Sequence, residues 1–239
     1  FLLTLLPTFT NITKAGDVYF ASDRYAYLPS IGFFLLLGIV LDRVIKGNQK
    51  VFAVVGSVIL IPLSIAAHAQ ARVWRNTETL FINVLQQYPN SHLAYNKVGG
   101  VLLDRGELEE AKELIWKSLE LKPTSRAYFN LGIVMLENGE VDASRDANEA
   151  ALALDGDYVP ALVNLGFLKY SDGAFEESIA HYEKAIALSP FIIDARIYLA
   201  AVLIELGESA LPEKLLTEVL NLDPYNQQAV VLLQSLRRE

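Results

Sequence analysis

SHLAYNKVGGVLLDRGELEEAKELIWKSLELKP, Ser91 to Pro123, sets the pattern of this chain, because the residues after it repeat its build. Gly99 returns as Gly132, Gly166 and Ala200, at spacings of 33, 34 and 34. Gly106 returns as Gly139, Gly173 and Gly207 at the same spacings, and Pro89, Pro123, Pro190 and Pro224 lie 34, 67 and 34 apart. A period of this length marks a supersecondary unit that cannot bury its own apolar face and stacks on copies of itself. The second glycine divides each unit into two helical runs: Ser91–Arg105 with Leu108–Glu120, Ser125–Asn138 with Val141–Leu154, Tyr158–Ser171 with Phe175–Leu188, and Phe191–Glu205 with Ala210–Leu222. A glycine at that junction supplies the left-handed residue that ends the first helix at little steric cost. Ala111, Ser144 and Ser178 recur where the two helices approach, and Pro212 takes that place in an irregular fourth unit.

Paired helices on this period read as an all-α tetratricopeptide-repeat superhelix over residues 72–239. It opens on a half repeat, Trp74–Tyr88, and closes on a capping helix, Asn226–Arg238, whose basic end suits the helix dipole. The first helices line a concave groove that receives Asn96, Phe129, Asn130, Asn164, Phe167, Tyr170 and Tyr198, together with Ile133, Ile197 and Ile204. Asn130 and Asn164, 34 apart, are expected to stack in register. Amides repeated along a groove can grip an extended peptide backbone with paired donors and acceptors; equally, they can satisfy neighbouring backbone groups within the solenoid.

Residues 1–71 are of another kind. They carry five Lys/Arg against three Asp/Glu, whereas 72–239 carry fifteen against twenty-five. Val51–Ala71 is twenty-one residues without a charge, the length a helix needs to cross about 30 Å of hydrocarbon. Tyr25–Leu41 is a second uncharged stretch, and Phe1–Phe9 has the look of a third that began upstream. These are expected to be transmembrane helices, which accounts for the 52% hydrophobic content of the whole. The joining loop Asp42–Lys50 holds Arg43, Lys46 and Lys50 against one acid, so the positive-inside rule places it in the cytoplasm. The repeats then lie on the opposite side, periplasmic or lumenal. The chain opens on Phe1-Leu2-Leu3, and is expected to be the C-terminal piece of a longer protein.

Chemistry, if any, belongs to Asp23-Arg24-Tyr25-Ala26-Tyr27-Leu28-Pro29-Ser30-Ile31-Gly32, at the mouth of the second stretch. An arginine at headgroup depth offers a planar donor fork to a lipid-linked phosphate; alternatively it snorkels while the tyrosines anchor the helix end. This motif resembles the acid-Arg-(Tyr/Val)-x-Tyr-(Leu/Ile)-Pro-Ser-x-Gly motif of the transmembrane and tetratricopeptide repeat O-mannosyltransferases and their bacterial relatives. The order of parts in residues 17–239 is similar too. The resemblance implies that 1–71 ends a membrane domain of the C-type glycosyltransferase fold. It further implies transfer of a sugar, typically mannose, from a polyprenyl-phosphate donor to a Ser or Thr hydroxyl. By that analogy Arg24 contacts the carrier phosphate, Asp23 orients Arg24, and Tyr25 and Tyr27 wall the site. The family's catalytic acid lies in an earlier external loop, so no catalytic residue is expected within this chain. A non-catalytic, membrane-anchored repeat scaffold is the alternative.

Little else competes. His68, His92 and His181 are too scattered for a metal site, no cofactor is called for, and cysteine is absent. The acidic solenoid argues against nucleic acid as a partner. Glu107–Glu113 reads as a solvated helix face.

Overall fold

The computed structural model describes residues 13–14, 17–18, 38–39, 43 and 49–236; within 49–73 the side chains of 49, 52, 53, 59, 60, 63, 67, 69 and 70 lie outside that description. Two units divide the chain, Phe1–Leu80 and Phe81–Glu239.

The first unit holds a minimal antiparallel ladder, β1 (Thr13–Lys14) against β2 (Asp17–Val18), with Thr13 opposite Val18 and Lys14 opposite Asp17. Nothing in the hydropathy pattern announces it. The uncharged stretch is one helix, α1 (Gln49–Val73), which continues through Pro62. Among the described residues no helix is long and apolar enough to cross a membrane. The stretches Phe1–Phe9 and Tyr25–Leu41 lie outside those residues, apart from Gly38 and Ile39, so the membrane reading rests on sequence alone. After α1, Asn76 caps α2 (Thr77–Gln87): its Oδ1 accepts the Thr79 amide at 2.8 Å, and the Thr79 hydroxyl donates back to the Val73 carbonyl at 3.0 Å. The cap moves the start of this helix to Thr77 from the expected Trp74.

The second unit is the stack of helix pairs: α3 (His92–Asp104) with α4 (Leu108–Leu121), α5 (Ser125–Glu137) with α6 (Val141–Leu154), α7 (Val159–Ser171) with α8 (Phe175–Leu188), α9 (Ile193–Glu205) with α10 (Ala210–Leu222), then α11 (Gln227–Leu236). Gly106, Gly139, Gly173 and Gly207 have φ of 76, 78, 76 and 81°. Around each the same two bonds recur. The Gly106 amide donates to Leu103 and the Glu107 amide to Leu102, the pairing that closes a helix through a left-handed glycine.

Where the helices of a pair cross, the first helix contributes almost no side chain. A Cβ on Gly99 would lie 2.8 Å from Ile115, on Gly132 2.4 Å from Asn148, and on Gly166 2.6 Å from the Tyr182 ring. Ala200 and Leu216 hold the equivalent places in the fourth pair, both buried. Ala111, Ser144, Ser178 and Pro212 are buried beside them, and the Ser178 hydroxyl donates to the Gly166 carbonyl at 2.7 Å. The irregular residue has a local consequence. Ala111, Ser144 and Ser178 each donate their amide to the residue before their helix, whereas Pro212 has no N–H to give. The equivalent bond of α10 is therefore missing, and its ladder starts with the Glu213 amide on Ser209.

Arg196 is 7% exposed but fully engaged: Nε donates to Glu218 at 3.2 Å, and the two terminal nitrogens donate to the Ile192 and Pro190 carbonyls at 2.8 and 2.6 Å. It ties the turn before α9 to α10. Asn148 is the opposite case, buried with Oδ1 unbonded at the position that Ile115, Tyr182 and Leu216 fill elsewhere. Gly166→Ala should cost about 2 kcal/mol of unfolding free energy by overpacking against Tyr182. Asn148→Leu, which copies Leu216 and removes the stranded oxygen, should be neutral or stabilising by about 1 kcal/mol. Denaturant unfolding followed by circular dichroism measures both, and equal destabilisation by the two would refute this account of the crossing.

Candidate peptide-binding groove

First helices touch one another within the stack, α3 with α5 and α7 with α9, and so form its inner layer. The groove residues named from the sequence all lie on these helices. Asn130 Nδ2 donates to Asn96 Oδ1 at 2.9 Å, joining α5 to α3, and Asn96 is only 4% exposed. The expected amide ladder is thus a pair rather than a row. Asn164 stands apart, with a buried Nδ2 that has no partner. The bond between Asn130 and Asn96 uses one donor of the former and one acceptor of the latter within the solenoid.

The aromatic residues divide into supports and open surface. Phe129 meets Tyr158 edge-on, with ring centroids 5.8 Å apart. Phe167 and Tyr198 are 40% and 37% exposed and offer the open apolar area. Tyr198 leans on buried Tyr182 at 5.8 Å. Burial pushes the Tyr182 phenol well above the ordinary range, which keeps this support neutral. Tyr170 packs on Phe175 and donates its hydroxyl to Glu205 at 2.5 Å. That bond, aided by partial burial and the carboxylate's charge, raises the Tyr170 pKa. Glu205 is a groove residue that the sequence reading omits, although its signal is in the repeat: the first helices α3 and α5 also end on acids, Asp104 and Glu137.

Asp23, Arg24, Tyr25 and Tyr27 lie outside the described residues, so the structure places none of the candidate donor-phosphate site. Among the described residues no cluster of His, Cys, Asp or Glu could hold a metal ion.

The fold is the all-helical tetratricopeptide-repeat superhelix, a scaffold whose concave face takes peptide or protein partners. Tetratricopeptide-repeat family models match residues 102–159 and 159–191. The chain is 28% identical over 132 residues to Protein O-mannosyl-transferase Tmtc2 of Drosophila melanogaster, a match covering 54% of this chain and 14% of that protein. It is 28% identical over 121 residues to Protein O-mannosyl-transferase TMTC1 of Mus musculus, covering 48% and 13%. The matches thus span only a small part of these relatives. A repeat protein of another name, YpiA of Bacillus subtilis, is 24% identical over 60% of this chain and 36% of its own length. Among solved structures, PilF of Pseudomonas aeruginosa superposes with a TM-score of 0.58 at 24% identity, over 62% of this chain and 68% of that one, a likeness of fold.

Because the folded pKa of Tyr170 is raised, its hydrogen bond contributes fully below about pH 10 and fades as the pH rises further. Glu205→Gln should let Tyr170 ionise at lower pH, read as tyrosinate absorbance in an alkaline titration. A curve identical to the parent's would exclude the carboxylate as the cause.

Proposed function

We propose that this chain is the C-terminal part of a membrane glycosyltransferase of the protein O-mannosyltransferase kind. It moves a sugar from a polyprenyl-phosphate donor to Ser or Thr of a protein, and the repeats bind the acceptor. The observation that carries the reading is the coincidence of two likenesses: the Asp23–Gly32 motif, and the similarity to two proteins named O-mannosyl-transferases. In this reading the chain is integral to the membrane and multi-pass, with Val51–Ala71 as its last span and the repeats on the periplasmic or lumenal side. The uncharged length of that stretch and the basic loop Asp42–Lys50 support it.

The proposed chemistry follows from charge. A phosphate leaving group gains negative charge in the transition state, and a guanidinium held beside it lowers the barrier. Arg24 has that role, Asp23 orients it, and Tyr25 and Tyr27 bound the headgroup cavity. The groove of Phe129, Phe167 and Tyr198 receives the acceptor polypeptide. A membrane-anchored scaffold without transferase activity is the second reading, supported by the likeness of this chain to YpiA, a protein named for its repeats.

In the complete gene product, Arg24→Ala should abolish transfer from a polyprenyl-phosphate sugar at unchanged expression. A reporter fused after Ala71 should be glycosylated or oxidised, as the non-cytoplasmic side requires. Retained transfer would take Arg24 out of the mechanism, and a cytoplasmic reporter would leave only a tethered adaptor.

A further inference from the structure

We infer that the groove takes a basic amphipathic segment, with apolar side chains on its floor and lysine or arginine along one rim. This occupant presupposes the acceptor-binding groove just proposed and adds its chemistry.

The rim is the edge where the first helices end. Its four turns, 104–107, 137–140, 171–174 and 205–208, carry net charges of −1, −2, −1 and −2. The turns on the opposite edge, 122–125, 155–158, 189–192 and 223–226, carry +1, −2, 0 and −1. Helices α3, α5 and α9 end on Asp104, Glu137 and Glu205, and none of the three has a base in its last turn. A carboxylate there opposes the helix dipole, whose negative end favours cations. Repeated departure from a local preference, at one place in three of four repeats, is what a functional surface does to a sequence. Asp104 and Glu137 are exposed and engage no base among the described residues, whereas Asp172 is occupied by Arg145 at 2.8 Å and Glu140 by Lys112 at 3.3 Å.

The floor lies alongside. Ile133 precedes Glu137 by four residues and so shares its helix face, while Phe167 and Tyr198 supply exposed aromatic area in the next two repeats. A cation entering this edge meets carboxylates, helix C-termini and ring faces, all of which attract it. An acidic segment meets repulsion from each of them. Charge complementarity therefore selects a basic partner over an acidic one of equal hydrophobicity.

The test uses the purified full chain and two labelled synthetic peptides, one alternating Lys and Leu and one alternating Glu and Leu, read by fluorescence anisotropy against protein-free buffer. The Lys-Leu probe should bind saturably and the Glu-Leu probe should not. Asp104→Asn with Glu137→Gln should weaken binding about fivefold or more. Glu120→Gln with Glu183→Gln, which removes the same charge from exposed positions on second helices, should leave it unchanged. Equal loss in both pairs would reduce the effect to net charge and overturn the proposal. If Phe167→Ala with Tyr198→Ala weakens binding and the rim pair does not, the groove stands and its basic occupant falls. If neither pair matters, the groove reading itself fails. Self-association of the parent, lost in the rim pair during sedimentation, would make the occupant a second copy and overturn a basic partner.

Discussion

The stack depends on one constraint, repeated at each crossing: the first helix must present no side chain where the second helix presents one. At Gly99, Gly132 and Gly166 the gap is filled by Ile115, Asn148 and Tyr182, close enough that a single added carbon would collide. Helices that approach this nearly gain dispersion along their length, and the pair becomes rigid enough to behave as one brick. The identity of the filling residue is free so long as it fits, which is why an aliphatic residue, an amide and a phenol occupy the same place. Freedom of that kind has limits. The amide brings an oxygen that nothing inside the pair satisfies.

Rigid pairs fix where their ends fall, and the ends carry the chemistry of the surface. Each left-handed glycine turns the chain within a few residues, so the C-termini of the first helices line one edge with little room for variation. Acids placed there are held in register by the same bonds that close the helices. Pro212 shows how far the pattern can bend, since α10 loses one amide bond at its start while Leu216 still fills its pair.

Much of this is legible in the sequence, because a repeat is an internal comparison. The bounds of α6, α8 and α10 follow from periodicity alone, and the four positive-φ glycines from their position between apolar runs. What periodicity misses is local or long-range. Asn76 and Asn226 read as parts of the runs beside them, yet their side chains cap α2 and α11 through the amides of Thr79 and Ala229. Asn130 stands 34 residues from both Asn96 and Asn164, and its side-chain bond goes to Asn96 while Asn164 Nδ2 has no partner. Glu205 escapes a local reading since its partner Tyr170 lies thirty-five residues earlier. The motif Asp23–Gly32 stays a matter of likeness, as its residues fall outside those described.

Tyr182 fills the hollow at Gly166 on one side and carries the exposed ring of Tyr198 on the other. Floor and brick thus share a wall. Any load on the Tyr198 ring would pass through Tyr182 to the crossing of α7 and α8, so surface and core of the third repeat are joined through one phenol.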